Sequence, residues 1–170
     1  AAIITGQSPA RLQITNHLPH QDRFTPKDSE LLPAKMLNHL PLESETLAER
    51  LKKDADYATA FIGKWHLSGK PSDRNHPNNM GIDYFAGILG GGVPDYFNWT
   101  LSKNGQNSNV NQYITSFFTD EAIRWINNQN SSWFLFLSYN APHTPFHLAP
   151  TNLHSQGALP DDNISIEQNP

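Results

Sequence analysis

The sequence lacks several features that would each point to a class of protein. It has no cysteine among 170 residues, which excludes a disulfide scaffold or a thiolate-bound zinc within this chain. No basic cluster is present, and 12 Lys and Arg against 16 Asp and Glu give a formal charge of −4, which argues against nucleic-acid binding. The longest strongly apolar run, residues 133–137, is far shorter than the roughly 20 residues of a membrane span.

The chain nevertheless contains enough apolar sequence to fold. Hydrophobic residues make up 37% of it, and 10 Gly and 13 Pro are too few for a low-complexity chain. A chain of this length corresponds to one domain or to part of a larger one. Because it opens without an initiator Met or a signal peptide, and ends on a polar stretch with no packing pattern, we expect a fragment.

Two helix–strand units stand out along the chain. Thr46 and Glu49 have the spacing of a capping box, which predicts a helix over about 47–54, followed by a buried strand over 57–63. Thr119 is expected to begin a second helix, with Asp120 and Glu121 in its first turn, followed by a buried strand over 133–139. This order predicts an α/β fold in which helices flank a layered sheet and neighbouring strands run parallel.

The segments between these units are expected to be loops. Residues 21–43 are polar and punctuated by proline, and residues 68–112 favour a functional loop system that keeps several aromatic residues. Those aromatic side chains either pack the loops or form a platform for a sugar. The apolar face of the second helix is predicted to consist of Phe118, Ala122, Trp125 and Ile126.

Reactive side chains follow both predicted strands. Lys64 and His66 come directly after the first strand, and Asn140 and His143 follow the second. Ligands of open α/β sheets collect at the carboxyl ends of strands, and an ammonium beside an imidazole suits an anionic substrate. The alternative at this point is that these side chains are simply exposed to solvent and have no functional role.

Two weaker patterns also remain open. His143 and His147 have the spacing of helical zinc ligands, but Pro142 and Pro145 disfavour a regular helix there. The Gly90–Gly92 run could hold a phosphate, although it lacks the lysine and the following helix of a P-loop.

Several blocks of sequence resemble the type I sulfatases, the arylsulfatase A-like group. The resemblance covers most of residues 1–150 and is strongest at Gly63-Lys64-Trp65-His66-Leu67 and at Asn140-Ala141-Pro142-His143-Thr144-Pro145. Further matching blocks are Ala1–Arg11, Thr46–Leu51, Tyr57–Ile62, Gly81–Phe85, Thr119–Ala122 and Phe134–Tyr139.

The resemblance implies a sulfuric ester hydrolase with an alkaline-phosphatase-like fold and a bound calcium. Its nucleophile would be a formylglycine made from the first residue of a Cys/Ser-x-Pro-x-Arg signature, which would lie immediately before Ala1. Gln7–Arg11 imitates the spacing of that signature, but Thr5-Gly6 fits the position downstream of it better. The nucleophile and the calcium ligands are therefore expected outside this chain, and no metal ligand is assigned within it.

Three site residues carry over by resemblance. Lys64 would bind a sulfate oxygen and the formylglycine hydroxyl. His66 would take the proton from that hydroxyl, and His143 would contact the sulfate and help to protonate the leaving alcohol. Residues 1–150 would then form part of a catalytic domain, and residues 151–170 would form an irregular tail that continues toward the rest.

The expected substrate is a sulfate ester, with a weak preference for carbohydrates, and the expected location is exported: periplasmic, extracellular or lysosomal. A phosphodiesterase or phosphonate hydrolase of the same superfamily, or a non-catalytic remnant that binds sulfated glycans, are the alternatives. If the strands are parallel and close, Lys64, His66 and His143 should converge on one polar pocket. Asn140 should then lie nearby, with Gly90–Gly92 at the rim.

Overall fold

The computed structural model describes residues 1–16, 26–31 and 34–157. The helices and strands are α1 (Ala2–Thr5), α2 (Leu47–Ala55), β1 (Ala58–Lys64), β2 (Tyr84–Ile88), β3 (Trp99–Lys103), β4 (Gln106–Val110), α3 (Ile114–Asn127) and β5 (Trp133–Ser138), with 3₁₀ turns at Pro77–Asn79 and Thr151–Leu153. The remainder of the expected loop over 21–43 and of the expected tail over 151–170 lies outside the described residues. Within the described ranges, no helix is long and apolar enough to cross a membrane.

The five strands form one mixed sheet in the order β4-β3-β2-β1-β5. The central strand β1 runs parallel to β2 on one side and to β5 on the other, which confirms the predicted parallel neighbours. Gly63 pairs in register with both Gly87 and Ser138, so β1 and β5 are directly adjacent. The carboxyl ends of three parallel strands therefore meet at one edge of the sheet.

Helices cover both faces of this sheet, which confirms the predicted α/β class. On one face Phe61 and Phe85 pack with Ala48 of α2. On the other face Ile62 packs with Phe118 of α3, together with other apolar residues of the central strands. Successive β1 residues point to opposite faces and both faces are covered, which explains the nearly continuous apolar run of β1.

The predicted first helix forms as the capping box indicates. Glu49 donates its backbone N–H to the Thr46 hydroxyl at 3.1 Å, and Thr46 donates its own backbone N–H to the Glu49 carboxylate at 2.7 Å. Lys52 and Lys53 lie in the last turn, where the helix dipole favours positive charge.

The second helix begins earlier than the sequence predicts. It starts at Ile114 rather than at Thr119, because Ile114 and Phe118 extend its buried apolar face by more than one turn. The acidic residues are consequently in the middle of the helix. Glu121 is buried, where Lys103 lies 2.7 Å away and Arg124 and the Tyr84 hydroxyl also contact it. The predicted face is otherwise confirmed, with Ala122 and Trp125 buried and Ile126 half-buried.

The prediction of a loop over residues 68–112 is wrong in large part. The segment contains β2 and the β3–β4 hairpin, whose two-residue turn, Asn104-Gly105, has positive φ at both residues. These strands have only five residues each, which gives too few alternations for a periodic pattern to emerge. Phe85 and Trp99 are accordingly core residues of strands rather than loop residues.

Candidate active site

The carboxyl end of β1 is shaped by a glycine that no other residue can replace. Gly63 has φ of +116°, and a β-carbon there would overlap the backbone carbonyl of Ser138 on β5. On the other side, a β-carbon on Gly87 would overlap the carbonyl of Gly63. The three backbones therefore approach closely just before Lys64, the last residue of β1.

Lys64 is a half-buried cation without a counterion in the described part of the chain. It pairs in register with Ile88, and none of the ion pairs between described residues involves it. Burial lowers the pKa of its ammonium from the ordinary value. Because desolvation disfavours the charged form, a bound anion would stabilise the charge of Lys64.

His66 is held by backbone hydrogen bonds that extend the pairing of β1 with β2. Trp65 donates its N–H to the Ile88 carbonyl and His66 donates its N–H to the Leu89 carbonyl, both at 3.0 Å. His66 itself has φ of +54°, in the left-handed region. That conformation costs a non-glycine residue about 1–2 kcal/mol, and such strain is concentrated at functional sites.

His143 lies in the loop that follows β5, at the same edge of the sheet. Its carbonyl accepts a hydrogen bond from the Tyr96 hydroxyl at 2.6 Å, and its N–H donates to the Asn140 carbonyl at 3.0 Å. The imidazole is exposed, with Nδ1 at 2.8 Å from the Thr144 carbonyl. The backbone of His143 is thus anchored while its ring faces solvent.

Two consecutive glycines bring the two histidines together. A β-carbon on Gly91 would lie 2.8 Å from Nε2 of His66, and one on Gly92 would lie 3.4 Å from Cε1 of His143. Both imidazoles therefore contact the Gly90–Gly92 loop, His66 at one residue and His143 at the next. This loop follows β2, so it connects the carboxyl ends of all three parallel strands.

A cavity of about 450 Å³ opens beside His66, and none of Gly90–Gly92 lines it. Lys64 and His66 line it together with Ser138 of β5 and the first helix, α1. His143 is outside the lining of this cavity. Lys64 and His66 thus share one cavity whose other lining residues are mostly apolar. The prediction that His143 converges with them on a single polar pocket is wrong, because His143 contacts Gly92 outside this cavity.

Asn140 lies where the sequence predicts it, close to His143. Its side chain is buried, and neither amide atom meets hydrogen-bond geometry with another described group. Burial raises the pKa of Tyr96, and the neighbouring Asn140 amide offsets part of that rise.

The residues do not fit a metal site within the described ranges. No group of three or more His, Asp or Glu is placed to hold a metal ion there. The zinc spacing of His143 and His147 is not realised on a helix, and His147 instead contacts the Tyr113 hydroxyl at 3.0 Å. We therefore assign no step to calcium or zinc in this chain.

Sequence reasoning expected Gly90–Gly92 near the histidines, and Gly91 adjoins the His66 ring. It missed Tyr96, which anchors the backbone of His143, and no motif marks that contact. The Asn104-Gly105 dipeptide, however, is typical of a two-residue hairpin turn and could have located β3 and β4.

Comparison with known proteins places the chain in a family. The Sulfatase family model matches residues 1–162, so the chain belongs to the sulfatase family, within the alkaline-phosphatase-like superfamily. An uncharacterized sulfatase of Escherichia coli, YdeN, is 31% identical over 169 residues, which cover 85% of this chain and 27% of YdeN. The N-acetylgalactosamine-6-sulfatase of Mus musculus is 27% identical over 168 residues, 85% of this chain and 30% of that protein.

Solved structures agree with this assignment. The crystal structure of Ps i-CgsB superimposes with a TM-score of 0.66 and 28% identity, over 85% of this chain and 34% of that one. A second structure of the same protein, in complex with k-i-k-neocarrahexaose, superimposes with a TM-score of 0.65 and 28% identity. The chain thus spans about a third or less of the length of these relatives.

Proposed function

We propose that the complete protein hydrolyses sulfate esters of carbohydrates, and that this chain supplies one side of its active site. The observation that carries the proposal is a cavity lined by His66 and by Lys64, which has no ion-pair partner among the described residues, with His66 and His143 contacting consecutive residues of the glycine loop. A desolvated cation beside two imidazoles suits a tetrahedral anion whose ester oxygen must be protonated. Relatives named as carbohydrate sulfatases support the substrate class.

Lys64 has the role of an anion-binding group. Its ammonium is partly withdrawn from water, and it would donate hydrogen bonds to an oxygen of the sulfate. Electrostatic stabilisation by a cation is stronger where water is partly excluded, and Lys64 is half-buried.

The two histidines would transfer protons in different steps of the reaction. His66 would accept the proton of the formylglycine hydroxyl, which by resemblance comes from outside this chain, when the sulfated intermediate collapses and releases sulfate. His143, whose ring faces solvent, would protonate the leaving alcohol. The resemblance also implies calcium, for which the described residues offer no ligand set.

In this proposal residues 1–150 are part of the catalytic domain and residues 151–170 lead toward its remainder. The complete protein would be exported, in keeping with the resemblance. Secretion of a complete protein carrying an epitope tag into the periplasm or the medium would test the location.

Substitution of Lys64 tests the proposed activity. In the complete protein, Lys64→Ala should lower kcat for a sulfated monosaccharide and for 4-nitrophenyl sulfate by about 100-fold or more, the scale of losing one stabiliser of a transition state. Lys53→Ala is the matched control, because Lys53 is an exposed lysine in the last turn of α2.

Three results would contradict the proposal. A near-normal rate in Lys64→Ala would remove this lysine from the site. A phosphodiester or phosphonate cleaved faster than any sulfate ester would favour the phosphohydrolases of the superfamily. Binding of sulfated saccharides without any turnover by the complete protein would indicate a non-catalytic glycan-binding protein.

A further inference from the structure

Tyr96 is a buried residue that ties the loop after β5 to the core of the fold. Its side chain is 1% exposed, and its hydroxyl donates a hydrogen bond to the His143 carbonyl at 2.6 Å. Its own carbonyl accepts a hydrogen bond at 2.9 Å from the N–H of Ile114, the first residue of α3. The backbone of His143 is therefore held, through Tyr96, against the beginning of a buried helix.

An aromatic contact holds the ring of Tyr96 in turn. The His147 imidazole packs against it with ring centroids 3.8 Å apart. Nδ1 of His147 lies 3.1 Å from the Pro145 carbonyl, and Nε2 lies 3.0 Å from the Tyr113 hydroxyl. Because a carbonyl can only accept, Nδ1 carries the proton, and Nε2 accepts from Tyr113 when the ring is neutral. Both nitrogens of His147 thus have partners, which fixes this ring against Tyr96.

The His143 imidazole has a defined tautomer in this loop. Its Nδ1 lies 2.8 Å from the Thr144 carbonyl and 3.3 Å from the Thr144 hydroxyl. The shorter contact is a hydrogen bond only if Nδ1 carries the proton, so Nε2 is the nitrogen that gains and loses one. The ring is exposed, and Nε2 forms no hydrogen bond with the described residues. In the proposed reaction the Nε2 proton would pass to the leaving oxygen, while Nδ1 keeps its own.

We propose that Tyr96 is a positioning residue for His143, and that by holding the His143 carbonyl it keeps Nδ1 on the Thr144 carbonyl and Nε2 available as the acid. The inference rests on the proposed sulfatase function, in which His143 protonates the leaving alcohol, and adds the group that orients it. Burial raises the pKa of Tyr96, so its hydroxyl keeps its proton and remains a donor at neutral pH.

Tyr96→Phe tests the inference in the complete protein, because it removes the hydroxyl and keeps the ring. For a sulfated monosaccharide kcat should fall about 10-fold or more, since its alcohol leaves poorly without a proton and a displaced acid loses much of its effect. For 4-nitrophenyl sulfate kcat should be unchanged, because 4-nitrophenolate leaves as a stable anion. Tyr57→Phe is the matched control, since Tyr57 directly precedes β1 at the opposite edge of the sheet, and neither rate should change in it.

A His143→Ala background separates positioning from a general structural role. Tyr96→Phe should cause no further loss of rate in His143→Ala, because the residue that it positions is absent. Three results would overturn the inference and leave the sulfatase function standing: equal losses for the two substrates, a full further loss in His143→Ala, or a normal rate for the sulfated monosaccharide.

A second variant covers the case in which Tyr96→Phe does not fold. His147→Ala removes the ring that packs against Tyr96 and leaves the Tyr96 hydroxyl in place. A loss of rate confined to the sulfated monosaccharide would support the inference, and an equal loss for both substrates, or none, would overturn it.

The nitrogen-15 chemical shifts of the His143 imidazole give a readout that does not depend on activity. At a pH where this ring is neutral, the complete protein should carry the proton on Nδ1, and Tyr96→Phe should contain both neutral tautomers. If the complete protein hydrolyses neither substrate, the proposed function fails and this measurement decides the role of Tyr96. A proton on Nε2 in the unsubstituted protein, or a tautomer that Tyr96→Phe leaves unchanged, would overturn the inference.

Discussion

The burial of Lys64 and the direction of its pKa shift are determined by the neighbouring residues. Gly63 allows the backbones of β1 and β5 to approach closely, and the next residue is then half-buried at the edge of the sheet. Burial lowers the pKa of Lys64, and no described carboxylate compensates for its charge. Burial disfavours the charged form of the ammonium and a bound anion would favour it, which is the physical basis for treating Lys64 as a candidate binding residue.

Gly91 is expected to control the position of the His66 ring. In Gly91→Ala the new β-carbon would lie 2.8 Å from Nε2 of His66, closer than carbon and nitrogen atoms pack, so the imidazole must move. A displacement of about 1 Å at a reacting group can cost on the order of 100-fold in rate. We therefore expect kcat for a sulfate ester to fall about 10- to 100-fold in the complete protein.

Gly90→Ala is the matched control for this experiment. A β-carbon on Gly90 meets no atom within 4 Å, and neither glycine has a positive φ, so both backbones accept alanine. The thermal midpoint of unfolding should change little in either variant. In Gly91→Ala the group that must move is the His66 imidazole, which is the end of a flexible side chain rather than backbone. Equal losses of rate in the two variants would show that loop stiffness, rather than His66, is responsible.

At the scale of the element, the amino end of α2 depends on one buried threonine. Thr46 caps the helix by accepting from the Glu49 N–H, and its hydroxyl also donates to the Met80 carbonyl at 2.9 Å. Its side chain is fully buried. Thr46→Ala removes both interactions and leaves two backbone groups without partners, so the free energy of unfolding should fall by about 1–3 kcal/mol in urea denaturation.

Ser72→Ala serves as the control for this substitution, because Ser72 is an exposed loop hydroxyl. It should change the free energy of unfolding by less than about 0.5 kcal/mol. If Thr46→Ala lowers the free energy of unfolding equally little, Thr46 does not hold α2 against the 3₁₀ turn that precedes Met80. The apolar contacts of Ala48 would then account for this packing.

The elements that sequence reasoning predicted are those with strong local signals. A complete capping box located α2, and nearly continuous apolar runs located β1 and β5. The start of α3 was misplaced because Thr119 and Asp120 resemble a helix start, whereas Ile114 is buried by tertiary packing that no local pattern reports. Glu121 was likewise read as a first-turn residue, although Lys103 and Arg124 hold it in the interior.

The position of the three candidate residues at one edge of the sheet was predictable, and only part of their arrangement was. Lys64 and His66 are at the end of β1 and His143 follows β5, and parallel strands end at one edge, which was sufficient to place them near each other. Their contacts with Gly91 and Gly92 depend on the path of a loop between β2 and β3, and those two strands were not predicted. The roles of the three residues remain predictions.

At the scale of the whole molecule, sheet topology assembles the site from distant parts of the chain. Lys64 ends β1 and His66 follows it, the Gly90–Gly92 loop follows β2, and His143 follows β5. The strand β1 lies between β2 and β5 and is parallel to both. Among the described residues β5 pairs on one side only, and most of its side chains are half-buried. The described residues of the proposed site are thereby carried by three neighbouring strands of one sheet.

A polypeptide limited to these 170 residues is therefore expected to fold without catalysing the reaction. It contains no cysteine and no Cys/Ser-x-Pro-x-Arg pattern to supply the nucleophile, and its described residues include no cluster that would hold calcium. Turnover of 4-nitrophenyl sulfate should be at background, and calorimetric titration should detect no tight calcium binding. The complete protein, assayed in parallel, is the positive control, and slow amide exchange in β1 would establish that the shorter polypeptide is folded. Calcium-dependent turnover by the folded polypeptide, lost in Lys64→Ala, would mean that the reacting groups lie within this chain, and the nucleophile would have to be sought among its own serine and threonine hydroxyls.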